Sequence, residues 1–365
     1  MVQAIIYRRK NALAGTDTAA SSPIFLLVGE GNNIATENSA IPSVEKFVKE
    51  DSTGQWGKEA NDTTMKYVNF RLVGTLPADL ASHETYFYAF SDTVDPKLQT
   101  APHALTVKID DVELVNDDGT LPYSVEIDPE TGGFSVIIND ILACGIEVSP
   151  SSQIVVEYKS VLEQSAPEGA VNEVCVEYSN NSVNTESHGT TMRDDVKVYS
   201  YSLTIGKKDD MGAPLPGVGF VVKNKDGVYV SRGEYGKDEN AGEYYTYEST
   251  DLYVWYIDEN GRLAIEGVDF DNYIIEEVEP LEGYIPLDGA FTVKIVTVDR
   301  VAIEYALVDA PARVSMTEDA VEVVNLKQVQ LPITGMAGYA GLVLLGLSLI
   351  SLVLFRLRYK DDKGD

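Results

Sequence analysis

Apolar and polar positions alternate along most of this chain in short runs of strand length. "SVIIND", "FTVKIVTV" and "VAIEYALV" are rich in β-branched residues, and "DDGTLP", "DPETGG", "NKDG" and "DENG" interrupt such runs with residues that turns favour. No long stripe of helical period appears before the C-terminal end. The pattern predicts an all-β protein of antiparallel β-sandwiches. A polar break, "NNSVNTESHGTTMRDD", divides it near residue 190 into two units of ordinary domain size, 41–190 and 196–328. One segment departs from the pattern. Residues 336–355 form an uncharged run of about twenty residues, long enough for one helix across a bilayer core.

Arg356, Arg358 and Lys360 follow that run, and the positive-inside rule keeps them in the cytoplasm and everything before Leu331 outside. Directly ahead of the span, Leu331, Pro332, Ile333, Thr334 and Gly335 resemble the LPxTG sorting signal of Gram-positive surface proteins, in the usual order of motif, apolar span and short basic tail (331–365, with the tail at 356–360). The resemblance implies that a sortase cysteine attacks the Thr334 carbonyl, releases Gly335 onward and passes the acyl group to an amine of peptidoglycan or of another pilin subunit. Contact with the membrane through 336–355 is then transient, and the protein ends up extracellular, covalently attached to the Gram-positive cell wall. No signal peptide is visible at the start. Residues 1–40 resemble the closing strands of an N-terminal pilin domain cut off before its beginning, and are expected to pack poorly alone.

Charge narrows the function further. Lysine and arginine total 28 against 58 acidic residues, a net charge of −30, which argues against nucleic acid and for a soluble, self-repelling exterior. Two cysteines, Cys144 and Cys175, are too few for a disulfide framework, and whether they pair outside the cell is left open. His83, His103 and His188 lie far apart without ligand spacing, and the acidic turns lack the spacing of an EF-hand. No metal, cofactor or enzyme site is expected. The aromatic tract "EYYTYESTDLYVWY", with Tyr244, Tyr245, Tyr247, Tyr253, Trp255 and Tyr256, suits a sandwich core and its rim better than a ligand face.

The more C-terminal unit carries a specific likeness. "YSLTIGKKDDMGAPLPGVGFVV", "DENGRLAIEGVDFDNYIIEEVEPLEGY" and "VEVVN" together resemble a collagen-adhesin B-type (Cna-B, SpaA-like pilin) domain, with "YIIEEVEPLEGY" matching the family's E-box. The resemblance implies a spontaneous isopeptide bond between a first-strand lysine, Lys207, and a last-strand asparagine, Asn325, with Glu277 as proton shuttle. Strand parity checks this independently, since side chains at i and i+2 share a face. Leu203, Ile205 and Lys207 fall together, as do Tyr273, Ile275 and Glu277, and Val321, Val323 and Asn325. A desolvated lysine loses its proton more readily and a desolvated carboxyl holds one more tightly, so neutral amine and protonated acid coexist near neutral pH. The amine then attacks the Asn325 carboxamide carbon. Glu277 is expected to hold the amide oxygen, polarise it and relay protons as ammonia leaves.

In the first unit, "PSVEKFV", "YFYAFSDTVDPKL" and "VNEVCVEYSNN" resemble the opening, middle and closing segments of a fimbrial isopeptide-forming domain of the collagen-adhesin A-like type. By position the likeness implies Lys46, Asp92 and Asn172 as lysine, acid and asparagine. Parity cooperates: Val44, Lys46 and Val48 share a face, as do Tyr86, Tyr88, Phe90 and Asp92, and Asn172, Val174, Val176 and Tyr178, although Phe47 lies on the opposite face of its strand.

Together these features predict tandem Ig-like (Cna-type) β-sandwiches ending in a single transmembrane sorting helix. The leading function is structural, a wall-attached pilin or pilin-like surface protein with a rigid crosslinked stalk. The alternative is a wall-anchored adhesin that binds a host or matrix ligand through loops or further N-terminal sequence. Backbone pilins of the family carry a linking lysine in a "YPK"-like motif, whereas "GEGNNIATENSAIP" has none.

Overall fold

The computed structural model describes residues 41–328, apart from Thr100, Asp117, 129–132, 235–243 and 299–301, together with a short helical stretch at 347–351. The segment 1–40, the sorting motif at 331–335 and most of 336–355 lie outside the described residues. Among the described residues no helix is long and apolar enough to cross a membrane.

Strands of five residues or more run through the first unit as β1 (Val44–Lys49), β2 (Tyr67–Thr75), β3 (Tyr88–Val94), β4 (His103–Ile109), β5 (Ser124–Asp128), β6 (Gly133–Ile138), β7 (Gln153–Val161), β8 (Ala170–Ser179) and β9 (Asp194–Tyr199). One sheet takes the order β1-β2-β7-β4, the other β9-β8-β3-β6-β5, with two- and three-residue strands at their edges. Alternation decides which side of each strand is covered. In β2, Val68, Phe70 and Leu72 are buried while Asn69 and Arg71 between them reach the surface. Facing residues of the two sheets form one core that includes Phe70, Phe90, Phe134, Tyr158 and Tyr178.

The second unit contains β10 (Tyr201–Asp209), β11 (Gly219–Lys223), β12 (Tyr229–Glu234), β13 (Tyr244–Ser249), β14 (Arg262–Val268), β15 (Asn272–Glu279), β16 (Phe291–Val298), β17 (Ala302–Asp309) and β18 (Val321–Lys327). Its sheets are ordered β14-β10-β18 and β13-β12-β11-β15-β16-β17. A separate core of Leu203, Ile205, Phe220, Tyr273, Ile275 and Val323 lies between them.

Two details differ from the sequence-based expectation, and a third settles a pairing that the sequence left open. The first unit does not end near residue 190: β9 pairs with β8, and its Val196 and Val198 belong to the first core, so the boundary falls at Ser200. Pairing is not wholly antiparallel, because β10 runs parallel to β18 and β9 runs parallel to the Glu59–Asn61 strand. The candidate Cys144–Cys175 disulfide is not formed. Both thiols are free and buried: Cys144 follows a 3-10 turn with its sulfur on the Ile146 carbonyl, while Cys175 lies on β8 opposite Ser91.

The two sandwiches are held together by short polar contacts. Tyr201 donates to Asn61 Oδ1 (2.6 Å), Thr64 donates to the Thr246 carbonyl (2.6 Å), and Lys66 pairs with Asp51, Asp62 and Glu248.

Candidate functional site

Each core contains one buried lysine, a place where lysine is almost never found unpaired. In the first unit, Lys46 is fully buried because inward-facing Val44 and Val48 flank it on β1. Asp92 on β3 and Asn172 on β8 come from the facing sheet and are equally enclosed. The register sets Val174 opposite Asp92 and Asn172 opposite Val94, so the acid and the amide stand diagonally on neighbouring strands. Lys46 reaches both across the sandwich: its Nζ pairs with Asp92 Oδ2 and donates to Asn172 Oδ1 at 2.7 Å. Phe47, on the outward face, is half-buried beneath Lys58, whose Nζ lies 4.8 Å from its ring, which accounts for an aromatic on that side.

A fourth side chain completes this site. Tyr158 on β7 is buried, and its hydroxyl donates to Asp92 Oδ2 (3.1 Å) while accepting from Asn172 Nδ2 (2.8 Å). Its ring stacks on Phe70 and meets Phe134 edge-on, with centroids 5.2 and 4.9 Å away. Alternation along Ile154, Val156, Tyr158 and Ser160 marks Tyr158 as inward-facing, but only the sheet pairing brings it to Asn172. Burial pushes the Lys46 amine down to about 8, against the pull of Asp92, Asp194 and Glu173. Burial raises Asp92, opposed by Lys46.

The second site uses different strands for the same groups. Lys207 on β10 and Asn325 on β18 are buried and belong to one sheet, on parallel neighbouring strands, with Lys207 opposite Val323. Glu277 on β15 enters from the other sheet with its side chain fully enclosed. Asn325 Nδ2 donates to Glu277 Oε1 at 2.6 Å, and Glu277 Oε2 lies 3.3 Å from Lys207 Nζ and accepts from the Leu287 N–H at 3.3 Å. The carboxyl therefore holds the amide nitrogen. The expected contact with the amide oxygen is not made, because a carboxylate accepts and so turns the NH2 side toward itself. Burial pushes Lys207 down to about 8, helped by the charge of Arg313 and opposed by Glu277.

Both constellations thus put a lysine with a lowered pKa beside an asparagine carboxamide and a buried carboxyl. That set can carry out acyl transfer from amide to amine, with the acid moving one proton from nucleophile to leaving group. Of the aromatic tract, Trp255 is buried with its indole N–H on the Val230 carbonyl, Tyr256 is exposed, and Tyr245 and Tyr253 help line a cleft of about 600 Å³ beside Thr64 and Arg232. Among the described residues no cluster of side chains suited to a metal ion occurs.

No curated protein sequence matches the chain. Residues 201–311 match the family profile described as SpaA, a prealbumin-like fold domain. The structure is similar to that of the full-length major pilin RrgB of Streptococcus pneumoniae, at 15% identity and a TM-score of 0.57, over 87% of this chain and 80% of that one. It is also similar to the C-terminal fragment of the major pilin GBS80 of Streptococcus agalactiae, at 15% identity and 0.53, over 70% and 91%. The T6 backbone pilin of Streptococcus pyogenes gives 16% and 0.52, over 85% and 76%. Residues 201–311 are thus similar to a SpaA prealbumin-like domain, and the chain has the tandem all-β fold seen in these streptococcal pilins.

Proposed function

We propose that this chain is a wall-anchored pilin or pilin-like surface subunit whose two sandwiches each seal themselves with a lysine–asparagine isopeptide bond, Lys46–Asn172 and Lys207–Asn325. The observation that carries the reading is the occurrence, in two separate cores, of a buried lysine, carboxyl and asparagine joined by direct contacts, with Lys46 touching both Asp92 and Asn172 and Glu277 touching both Lys207 and Asn325. Such groups cost free energy to bury unless they react or pair, and a chain that only needed a core would place apolar residues there.

The chemistry is a single turnover. The lysine Nζ lone pair attacks the asparagine Cγ, the new C–N bond forms, the Cγ–Nδ2 bond breaks, and one amine proton travels through the carboxyl so that ammonia leaves. At the second site Glu277 touches both ends of that transfer with its two oxygens. Each bond closes a loop of roughly 120 residues, which by analogy with disulfides stabilises by about 4–5 kcal/mol. For a tethered stalk the bond also carries load that a ladder of hydrogen bonds would otherwise carry.

The LPxTG-like residues 331–335 and the apolar span after them support sortase processing and attachment to peptidoglycan or to another subunit. Surface exposure on a Gram-positive wall follows from that reading and agrees with the pilin-like fold. Intact mass of the chain tests the core claim. The expected deficit is two ammonia masses, reduced by one in Glu277→Ala and by one in Asp92→Ala, and a chain of full mass would remove both bonds from the account.

A further inference from the structure

The two sites differ in how the acid reaches the leaving nitrogen. Glu277 contacts Lys207 with one oxygen and Asn325 Nδ2 with the other. Asp92 is one methylene shorter. Its Oδ2 contacts Lys46, its Oδ1 has no hydrogen-bond partner, and the link to Asn172 Nδ2 runs through the Tyr158 hydroxyl. The contacts close a ring: Lys46 Nζ, Asp92 Oδ2, Tyr158 Oη, Asn172 Nδ2 and, through the amide, Oδ1 back to Lys46.

We infer that Tyr158 is a catalytic member of the first site, a proton relay that hands a proton to the departing ammonia on behalf of Asp92. This role rests on the isopeptide reading of the site. In the unreacted amide the Nδ2 nitrogen has no available lone pair and can only donate, so the Tyr158 hydroxyl accepts from it. Once Lys46 has added to Cγ, Nδ2 becomes pyramidal and basic. The hydroxyl then turns, donates its proton to Nδ2, and takes in exchange the proton that Asp92 Oδ2 has received from Lys46. The Cγ–Nδ2 bond breaks, ammonia leaves, and tyrosine and aspartic acid return to their starting protonation. Atoms balance without any outside acid or base. Burial holds the Tyr158 hydroxyl protonated far above neutral pH, so it works as a neutral carrier.

The test follows bond formation over time in the full chain made by cell-free synthesis, quenched at intervals and digested to resolve the Lys46–Asn172 and Lys207–Asn325 crosslinked peptides. Tyr158→Phe keeps the ring and removes only the hydroxyl. The first bond should then form roughly 10²-fold more slowly while the second keeps its rate, as an internal control for folding and for synthesis. A second variant separates relay from packing: Asp92→Glu in the Tyr158→Phe background supplies an acid long enough to contact Nδ2 directly, as Glu277 does, and should recover most of the lost rate. An unchanged first-bond rate in Tyr158→Phe would overturn the relay and leave the bond itself standing. So would a slow rate that Asp92→Glu does not recover, which would make Tyr158 a packing residue. Absence of the Lys46–Asn172 peptide from the unmutated chain would instead overturn the isopeptide reading of this site, and the relay with it.

Discussion

The first and second sandwiches contain the same three functional groups in opposite arrangements. In the first, lysine stands on one sheet and acid and asparagine on the other, so the proposed bond ties the two sheets together. In the second, lysine and asparagine stand on adjacent parallel strands of one sheet and the acid faces them, so the bond ties the strand that enters the domain to the one that leaves it. The consequence is mechanical. Asn325 lies close to the end of its unit, whereas Asn172 is followed by the rest of β8 and by β9. A pull along the chain would meet the proposed second bond almost at once, but in the first unit it would meet hydrogen bonds before the proposed bond.

Single-molecule pulling gives the largest test of that contrast. With both bonds in place, the first unit should release only the roughly 27 residues after Asn172, about 90 Å, and the second almost nothing. Asp92→Ala should free the loop of 126 residues between Lys46 and Asn172, adding up to roughly 430 Å to the first unit alone. An extension of that size in the unmutated chain would show that the first site carries no covalent load.

A smaller effect separates the sites by packing. Gly133 opens β6 directly beside Asp92, and a Cβ built there would stand 2.1 Å from the Asp92 carbonyl oxygen, a backbone atom that cannot swing aside. Gly133→Ala should therefore push β3 at the acid, costing about 1–3 kcal/mol in the first unit and slowing its bond. Melting followed with crosslink mapping checks this. A variant that crosslinks at the normal rate in both units would mean that the position of Asp92 tolerates more movement than a proton relay allows.

How much of this was legible in the sequence differs residue by residue. The family resemblance picked out Lys46, Asp92, Asn172, Lys207, Glu277 and Asn325, and parity set each on the apolar face of its strand, because the two-residue period of a strand is independent of what the strand faces. What parity cannot supply is pairing. Nothing local links Tyr158 to Asn172, and their meeting depends on two sheets stacking in one register. The same limit explains the boundary at Ser200: "NNSVNTESHGTTMRDD" has the composition of a linker, yet the chain returns from it to add β9 to the first sandwich. The amide face chosen by Glu277 was likewise invisible, since it depends on which donors the folded core leaves for a carboxylate to accept.

The smallest expected effect concerns charge. The lysines sit at about the same pKa for partly different reasons: acidic neighbours Asp194 and Glu173 help hold the proton on Lys46, whereas Arg313 helps drive it off Lys207. Arg313 donates to the Ile285 and Pro286 carbonyls at 2.9 and 2.5 Å, which fixes its charge near the second site without touching the reacting groups. The attacking species is the neutral amine, so the rate should rise about tenfold per pH unit below pH 8 and level off above it. Removing a nearby positive charge lets Lys207 keep its proton to higher pH. Arg313→Ala should therefore slow the second bond by a few-fold at pH 7, shift its pH profile upward by a fraction of a unit, and leave the plateau unchanged. The first bond should keep its profile, because Arg313 is not among the charges acting on Lys46. A parallel shift at both sites would mean that the variant acts through global charge, and the difference between the sites would then lie in geometry alone.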